Sequence, residues 1–237
     1  MPKENVLFFE IFGPVMIGPS SSHTAGVARI CFLARKMFGA LPIRARILFY
    51  GSLAATWKGH GSGDAAIAGL LGIHPEDERL SQGRAILKNH EAEERGFPVS
   101  IEECRELPPS WHPNSLVVEL FGDRGQGPDK LAMRASSIGG GSIRIDEIDG
   151  FQVNLSGELE ALLILHHDEI GVIAQVSHIL ANEKINIAGT SSHRKEKGEE
   201  ALLVAEADGK IPQYVVDRIT ALAPVYRVIS VPSLEDL

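Results

Sequence analysis

The last third of the chain carries the pattern that most restricts what the molecule can fold into. From residue 160 onward, short apolar runs alternate with amphipathic stretches in the order β-α-β-β-α-β. The predicted strands and helices occupy residues 162–165, 172–180, 185–192, 201–207, 212–222 and 225–231. This order is typical of the ferredoxin-like fold. We therefore predict a ferredoxin-like βαββαβ domain over residues 160–235.

The preceding residues predict a separate domain of the mixed α/β type. An apolar stripe with helical spacing marks its first helix and comprises Val27, Ile30, Cys31, Ala34, Met37 and Phe38. Further helices are predicted from Asp64, as the N-cap residue, and over residues 76–95. Strands are predicted at residues 43–50, 98–101, 116–121, 131–138 and 143–148. With a boundary near Ser156-Gly157-Glu158, the sequence predicts an α+β protein with domains at 5–156 and 160–235.

Composition argues against several classes of function. Lys and Arg number 23 against 31 Asp and Glu, and the net charge of −8 disfavours non-specific binding of nucleic acid. No apolar run has the length of a membrane span, and the first residues do not resemble a signal peptide. Cys31 and Cys104 are too few for the disulfide framework of a secreted domain or for a self-contained zinc site. We expect a cytoplasmic protein with no metal site of its own.

Hydroxyl groups are concentrated in the segment Gly18-Pro19-Ser20-Ser21-Ser22-His23-Thr24, directly before the first helix. The first N–H groups of a helix lack intrahelical partners, and the helix dipole is positive there. Hydroxyls beside those donors can hold a carboxylate or a phosphate, and the histidine adds a group that titrates near neutral pH. The simpler interpretation is helix capping, for which one serine or threonine is enough. The run of polar residues favours an anion or substrate site.

A second histidine is flanked by glycines in Lys58-Gly59-His60-Gly61-Ser62-Gly63-Asp64. Glycines let the backbone approach a ligand closely, and the imidazole could act as an acid, a base or a positioning group. A flexible connection with an exposed histidine is the alternative. The lysine precedes the glycines, so the segment is not a Walker loop. His112-Pro113-Asn114 and Gly139-Gly140-Gly141 gain a role only if the fold brings them to the serines.

Taken together, these segments resemble the β subunit of bacterial iron–sulfur-dependent L-serine dehydratase of the two-subunit type. Residues 13–26 are similar to the signature opening of that family, and residues 50–54, 58–61, 112–114 and 137–141 fall where the family has similar segments. The tail from Ala161 resembles an ACT domain, and the N-terminal domain of the family resembles the allosteric substrate-binding domain of some phosphoglycerate dehydrogenases. One departure concerns Asp64, which comes one position later than in the family's Gly-His-Gly-Thr-Asp, so no role is carried over to it.

The resemblance implies conversion of L-serine to pyruvate and ammonia together with an α subunit that binds a [4Fe–4S] cluster. Two separated cysteines cannot hold such a cluster, so the resemblance places it on the α subunit, where an open iron would act as a Lewis acid on the substrate hydroxyl. In this chain it implies His23 and His60 as candidates for proton transfer. The implied substrate-binding residues are Ser20, Ser21, Ser22, Thr24, Gly61, Asn114 and Gly140.

The ACT resemblance implies a regulatory or dimerising role for the tail, and a homodimer formed through the tail or the N-terminal domain. The positions that match an amino-acid effector site are Asp168, Gly171, Val172, Ile173, Asn186 and Ile187. Two alternatives stay open. The tail could only pack and dimerise, and the whole chain could be a non-catalytic amino-acid sensor that works without iron.

Overall fold

The computed structural model describes residues 21–92, 96–123 and 128–234. Ser20 of the segment at residues 18–24, the serine-rich motif, therefore lies outside the described residues. The first described element is a π-helical turn, Ser21–Ala25, which continues into helix α1, Gly26–Phe38. As predicted, the apolar stripe of α1 is buried along the length of the helix.

The start of this helix differs from the prediction. The sequence places the serine-rich motif before the helix, whereas residues 21–25 already form its first, π-helical turn. Ala25 stands at the N-cap position of α1, has helical backbone angles (φ −63°, ψ −44°) and makes no side-chain cap hydrogen bond. Ser22 and Thr24 are thus wound into a π-helical turn, a conformation that is frequent at functional sites, and they do not cap α1.

Helix α1 packs against a six-stranded sheet that forms the centre of the first domain. Its strands are β1 (Arg44–Tyr50), β2 (Val99–Cys104), β3 (Ser115–Asp123), β4 (Pro128–Gly139), β5 (Ser142–Ile148) and β6 (Phe151–Leu155). The spatial order is β2-β1-β3-β4-β5-β6, with β1 and β2 parallel and the other neighbours antiparallel. Strand β6 was not predicted, because five residues with two exposed polar positions give too short an alternation to distinguish from a loop.

Short helical elements fill the connection between β1 and β2. They are α2 (Gly51–Thr56), α3 (Ser62–Leu70), a 3₁₀ helix (Glu78–Gln82) and α4 (Gly83–Ala92). Helix α2 was not predicted, and the helical stretch predicted over residues 76–95 is divided into the 3₁₀ helix and α4. The side chain of Asp77 accepts a hydrogen bond from the backbone N–H of Arg79 and starts the separate 3₁₀ turn. At Gly83 the backbone passes so close to α3 that an added Cβ would lie 2.1 Å from the carbonyl oxygen of Asp64.

The predicted capping role of Asp64 is also wrong. Gly61 holds the N-cap position of α3, and Asp64 lies in the first turn of the helix. Its Oδ1 accepts a hydrogen bond from the backbone N–H of Arg84 at 3.0 Å, and its Oδ2 pairs with the Arg84 guanidinium. Asp64 therefore ties the start of α3 to the start of α4.

The last third of the chain folds as predicted into a ferredoxin-like ACT arrangement. Its elements are β7 (Glu160–His167), α5 (Val172–Asn182), β8 (Ile187–Arg194), β9 (Glu200–Ala207), α6 (Gln213–Thr220) and β10 (Val225–Val231). The four strands form an antiparallel sheet in the order β10-β7-β9-β8. The mixed α/β fold with a second, ferredoxin-like unit is thereby confirmed.

The two central strands of this second sheet, β7 and β9, are buried on both faces, which explains why they are nearly continuous apolar runs. Leu162, Ile164 and Leu203 pack against α5 and α6 in one core cluster. Leu163 and Val204, which point the other way, belong to the core cluster of the first domain. Among the described residues, no helix is both long and apolar enough to span a membrane.

Candidate functional site

The π-helical turn presents His23 toward the start of helix α2. The Ser22 hydroxyl lies 3.0 Å from Nδ1 of His23, and the Ser52 hydroxyl lies 3.4 Å from its Nε2. Both imidazole nitrogens therefore have a hydroxyl within hydrogen-bonding reach. Because a hydroxyl can either donate or accept, these two contacts fit either neutral tautomer of His23.

The glycine-flanked loop brings His60 against His23. The two imidazole centroids are 4.9 Å apart with the ring planes tilted by 56°. The Thr24 hydroxyl donates to the backbone carbonyl of His60 at 3.1 Å, which ties the loop to the π-helical turn. Nδ1 of His60 is buried and has no hydrogen-bond partner within the described part of the chain. A buried imidazole nitrogen without a partner has an unmet capacity to bond a ligand or a proton.

Ser52 joins this pair of histidines to the His112-Pro113-Asn114 segment. The Ser52 hydroxyl donates to Oδ1 of Asn114, and the Ser52 backbone N–H donates to the carbonyl of Pro113 at 2.8 Å. The backbone at Gly51 has φ +53°, and a Cβ there would lie 2.3 Å from the Pro113 oxygen. Glycine is thus required at residue 51 for the two segments to meet.

The end of strand β4 completes the cluster. The Ser137 backbone N–H donates to the Asn114 carbonyl at 3.0 Å, and the Ser137 hydroxyl is buried with no hydrogen-bond partner among residues 21–92, 96–123 and 128–234. That hydroxyl lies directly over Gly26, where an added Cβ would be 2.1 Å away from it. The following glycine turn is held to α1 by Arg29, whose Nη1 donates to the Gly141 carbonyl at 3.1 Å.

The electrostatics of the cluster favour a neutral His23. Partial burial lowers the pKa of His23 below its ordinary value of 6.5, and the neighbouring His60, when charged, lowers it further. A histidine that is neutral near pH 7 can accept a proton from a substrate. His23 therefore has the protonation state that general-base chemistry requires.

The structure brings together several of the predicted site residues and leaves others apart. His23, Thr24, His60 and Asn114 lie in one cluster. The Ser22 hydroxyl contacts the His23 ring, and Ser21 is the first residue of the π-helical turn. Gly61 and Gly140 have positive φ angles. Ser20 falls outside the described residues.

Sequence reasoning missed Ser52 and Ser137 as members of the cluster. Both lie inside segments that the family resemblance marks, residues 50–54 and 137–141. Each is a single serine without a motif of its own, so only the spatial approach of α2, β4 and the loop before β3 reveals it.

The thiols of this chain do not fit an iron–sulfur cluster. Cys31 is fully buried in the core on α1, and burial raises the pKa of its thiol, which opposes the thiolate that a metal needs. Cys104 lies at the end of β2, an edge strand of the sheet, where it pairs with Tyr50. Within the described ranges, no group of three or more His, Cys, Asp or Glu side chains is arranged to hold a metal ion.

The residues predicted for an ACT effector site do not form one pocket within a single chain. Asp168 and Gly171 lie between β7 and α5, where Asp168 accepts hydrogen bonds from Gly198 N–H at 3.0 Å and from Arg194 at 3.2 Å. Those bonds hold the pKa of Asp168 below its usual range, the backbone bond from Gly198 contributing most. Val172 is buried and Ile173 is exposed on the first turn of α5.

The other two predicted effector residues lie at the opposite end of the sheet. Ile187 pairs with Ala207, whereas His167, just before Asp168, pairs with Glu200 at the far end of the same strand. Asn186 donates to Asp208 at 2.5 Å. Seven residue steps of β-strand separate the two groups by roughly 23 Å. One small effector therefore cannot touch both groups within a single chain.

Comparisons with known proteins match the two parts of the chain to two families. The family model described as serine dehydratase beta chain matches residues 8–148, and the ACT domain model matches residues 161–224. The chain is 40% identical over 220 residues to a probable L-serine dehydratase, beta chain, of Bacillus subtilis, covering 93% of this chain and 95% of that protein. It is 32% identical over 200 residues to the L-serine dehydratase, beta chain, of Peptoniphilus asaccharolyticus, covering 84% and 86%.

A more distant similarity covers part of a larger enzyme. The chain is 32% identical over 137 residues to the D-3-phosphoglycerate dehydrogenase of Bacillus subtilis, covering 58% of this chain and 25% of that protein. The two family models cover most of the sequence, and the beta-chain relatives match it nearly end to end. The chain therefore belongs to the serine dehydratase beta chain family and carries a C-terminal ACT domain.

Proposed function

We propose that this chain is the β subunit of a two-chain L-serine dehydratase and supplies part of the active site. The observation that carries the proposal is the pair of facing imidazoles of His23 and His60, 4.9 Å apart, with Nδ1 of His60 buried and unpartnered within the described residues. Polar side chains from the start of α2 and the loop before β3 converge on the same point. The names of the beta-chain relatives supply the substrate class, L-serine.

The proposed reaction removes the Cα proton and the β-hydroxyl of L-serine. A base takes the Cα proton, the hydroxyl leaves as water, and the resulting 2-aminoacrylate tautomerises to an imine that water hydrolyses to pyruvate and ammonia. His23, whose lowered pKa favours the neutral form, is suited to accept the Cα proton at its unprotonated ring nitrogen. His60 is the second candidate, through its unpartnered Nδ1.

The hydroxyl-bearing residues divide into two proposed roles. Ser20, Ser21 and Ser22 are proposed to bind the substrate carboxylate or hydroxyl, with Asn114 beside them. The Thr24 hydroxyl is already donated to the His60 carbonyl, so Thr24 is proposed to position the histidine loop. Gly61 and Gly140, with φ +68° and +60°, are proposed to let the backbone come close to the substrate.

The [4Fe–4S] cluster of the family is proposed to reside on a partner α chain. The support is the misfit described above: the chain has two cysteines, of which Cys31 is fully buried in the core, and a cluster of this type needs three or four thiolates. The ACT domain is proposed to regulate the enzyme or to join two copies of this chain. Calorimetry of the complete chain with L-serine and other amino acids tests the regulatory role, which a lack of heat with all of them would contradict.

The test of the catalytic proposal is substitution of each histidine in the reconstituted two-chain enzyme. We expect His23→Asn and His60→Asn each to lower kcat by roughly 100-fold or more, the range in which general acid–base groups act. His178→Asn is the matched control, because His178 is exposed on α5, away from the cluster. Normal turnover in either active-site variant would remove that histidine from the chemistry.

A further inference from the structure

A buried chain of polar groups runs behind the histidine cluster, inside the six-stranded sheet. It begins at Asp146 on β5, whose side chain is only 10% exposed. The carboxylate lies between two guanidinium groups: Nε of Arg144 donates to Oδ1 at 2.6 Å, and Nη1 of Arg134 lies 3.6 Å from Oδ2. Burying a carboxylate is costly unless it is paired and hydrogen-bonded, and the two guanidinium groups supply that pairing for Asp146.

Two fully buried serine hydroxyls continue the chain toward the site. The Ser136 hydroxyl donates to Oδ2 of Asp146 at 2.5 Å, and the Ser115 hydroxyl lies 3.0 Å from that of Ser136. The Ser115 hydroxyl also donates to the backbone carbonyl of His112 at 2.7 Å. The chain of contacts thus ends on the first residue of the His112-Pro113-Asn114 segment.

The number of protons fixes the direction of the hydrogen bond between Ser136 and Asp146 and leaves the Ser115 proton shared between two acceptors. An ionised carboxylate only accepts, so Ser136 gives its single proton to Asp146. Ser115 then has one proton and two acceptors within reach, the Ser136 oxygen and the His112 carbonyl. The charge on Asp146 therefore fixes the rotamer of Ser136, which in turn presents a lone pair to Ser115.

The residue before His112 is held by the same group of side chains. The Arg134 guanidinium carbon lies 4.4 Å from the ring centroid of Trp111, and the Trp111 ring meets that of Tyr50 at 4.8 Å. Tyr50 is followed directly by Gly51 and Ser52. The arginine–carboxylate group thus contacts Trp111 on one side of the junction at which Ser52 meets Asn114, and Trp111 in turn contacts Tyr50 on the other side.

We propose that Asp146, acting through Ser136 and Ser115, is a positioning residue for the active site. The three side chains fix the backbone of the His112-Pro113-Asn114 segment, and that segment in turn fixes Ser52 beside His23. The inference rests on the proposed function, because its activity readout is L-serine turnover. Asp146, Ser136 and Ser115 themselves lie behind the segment, and their hydrogen bonds lead to the His112 carbonyl.

The first test is the kinetics of Ser115→Ala and Ser136→Ala in the reconstituted two-chain enzyme. Small displacements of positioned groups reduce rates steeply, so we expect each variant to lower kcat by roughly 10- to 100-fold. Because the two hydroxyls act in series, the double variant should be no slower than the slower single variant. Ser100→Ala is the control, since Ser100 is exposed on the edge strand β2, away from the site.

The second test needs no turnover. The chain has two tryptophans, so Trp57→Phe leaves Trp111 as the single fluorophore. In that background we expect Ser115→Ala and Ser136→Ala to increase acrylamide quenching of Trp111, and Ser100→Ala to leave it unchanged.

The outcomes separate this inference from the proposed function. A wild-type complex that turns over L-serine, with both serine variants matching Ser100→Ala in kcat and in quenching, overturns the positioning role alone. Additive losses in the double variant also overturn it, because independent packing defects add. A wild-type complex that does not dehydrate L-serine overturns the proposed function, while increased Trp111 quenching in the variants would still support the structural coupling.

Discussion

Replacing Gly26 by alanine should destabilise the chain, although alanine is the better helix former. Gly26 is the first residue of α1 and follows directly on the π-helical turn. An ideal Cβ at this position would lie 2.1 Å from the Ser137 hydroxyl oxygen and 2.7 Å from the Ser137 Cβ. The helix and strand β4 therefore touch here through backbone and one small side chain.

The sign of the effect follows from two opposing magnitudes. Exchange of glycine for alanine inside a helix stabilises by about 1 kcal/mol. Forcing an extra methyl group into a closely packed contact costs about 1–3 kcal/mol. The contact distances fall well inside van der Waals separation, so the upper half of that range applies. We expect a net loss of about 1–2 kcal/mol in the free energy of unfolding.

The assay is urea unfolding of the complete chain, alone and with Ser137→Gly. Removing the Ser137 side chain deletes both clashing atoms, so in that background Gly26→Ala should stabilise by about 0.5–1 kcal/mol. The reversal of sign is the critical result, since it isolates the contact from any general effect of the substitution. A gain of stability from Gly26→Ala in the wild-type background would refute the close approach of α1 to β4.

Three further predictions concern the candidate site and its surroundings. Gly51→Ala should lower kcat and destabilise the chain by about 1–3 kcal/mol, because its Cβ would overlap the carbonyl of Pro113; normal kinetics and unfolding would contradict this. NMR titration should give His23 a pKa below 6.5, and His60→Asn should raise that pKa by removing a neighbouring positive charge; no change on substitution would contradict the coupling. Because the native state then binds fewer protons than the unfolded state, the contribution of His23 to the free energy of unfolding is complete above pH 6.5. It is lost as the pH falls through the pKa of His23 in the folded state, and pH-dependent unfolding measures that loss. Asp64→Asn should leave kcat unchanged and cost at most about 1 kcal/mol, as for other partly exposed ion pairs; a large kcat loss would return Asp64 to the active site.

The sequence was most informative where local periodicity decides the structure. The stripe from Val27 to Phe38 predicted α1, and the element order after residue 160 predicted the second sheet. In both cases the apolar spacing reports directly on a buried face. The strands of the first sheet were found within a few residues of their ends, with the exception of β6.

Contacts between distant segments were beyond sequence reasoning. Asp64 was predicted to cap α3, but its carboxylate accepts a hydrogen bond from the backbone N–H of Arg84, twenty residues later. The series of polar contacts from Asp146 through Ser136 to Ser115 depends on the register that sets Ser115 opposite Ser136 across β3 and β4. The apolar alternation shows which face of each strand is buried, but a shift of two residues keeps the same faces, so the pattern does not show which serine stands opposite which.

The most direct test of the central claim is to assay pyruvate formation from L-serine by this chain alone, by the partner α chain alone and by their mixture under anaerobic conditions. We expect pyruvate from the mixture only. The His23→Asn/His60→Asn double variant of this chain should still bind the partner but form no product above background. Pyruvate formation by this chain alone, or full activity of the mixture with the double variant, would contradict the claim that these two imidazoles provide one half of a shared active site.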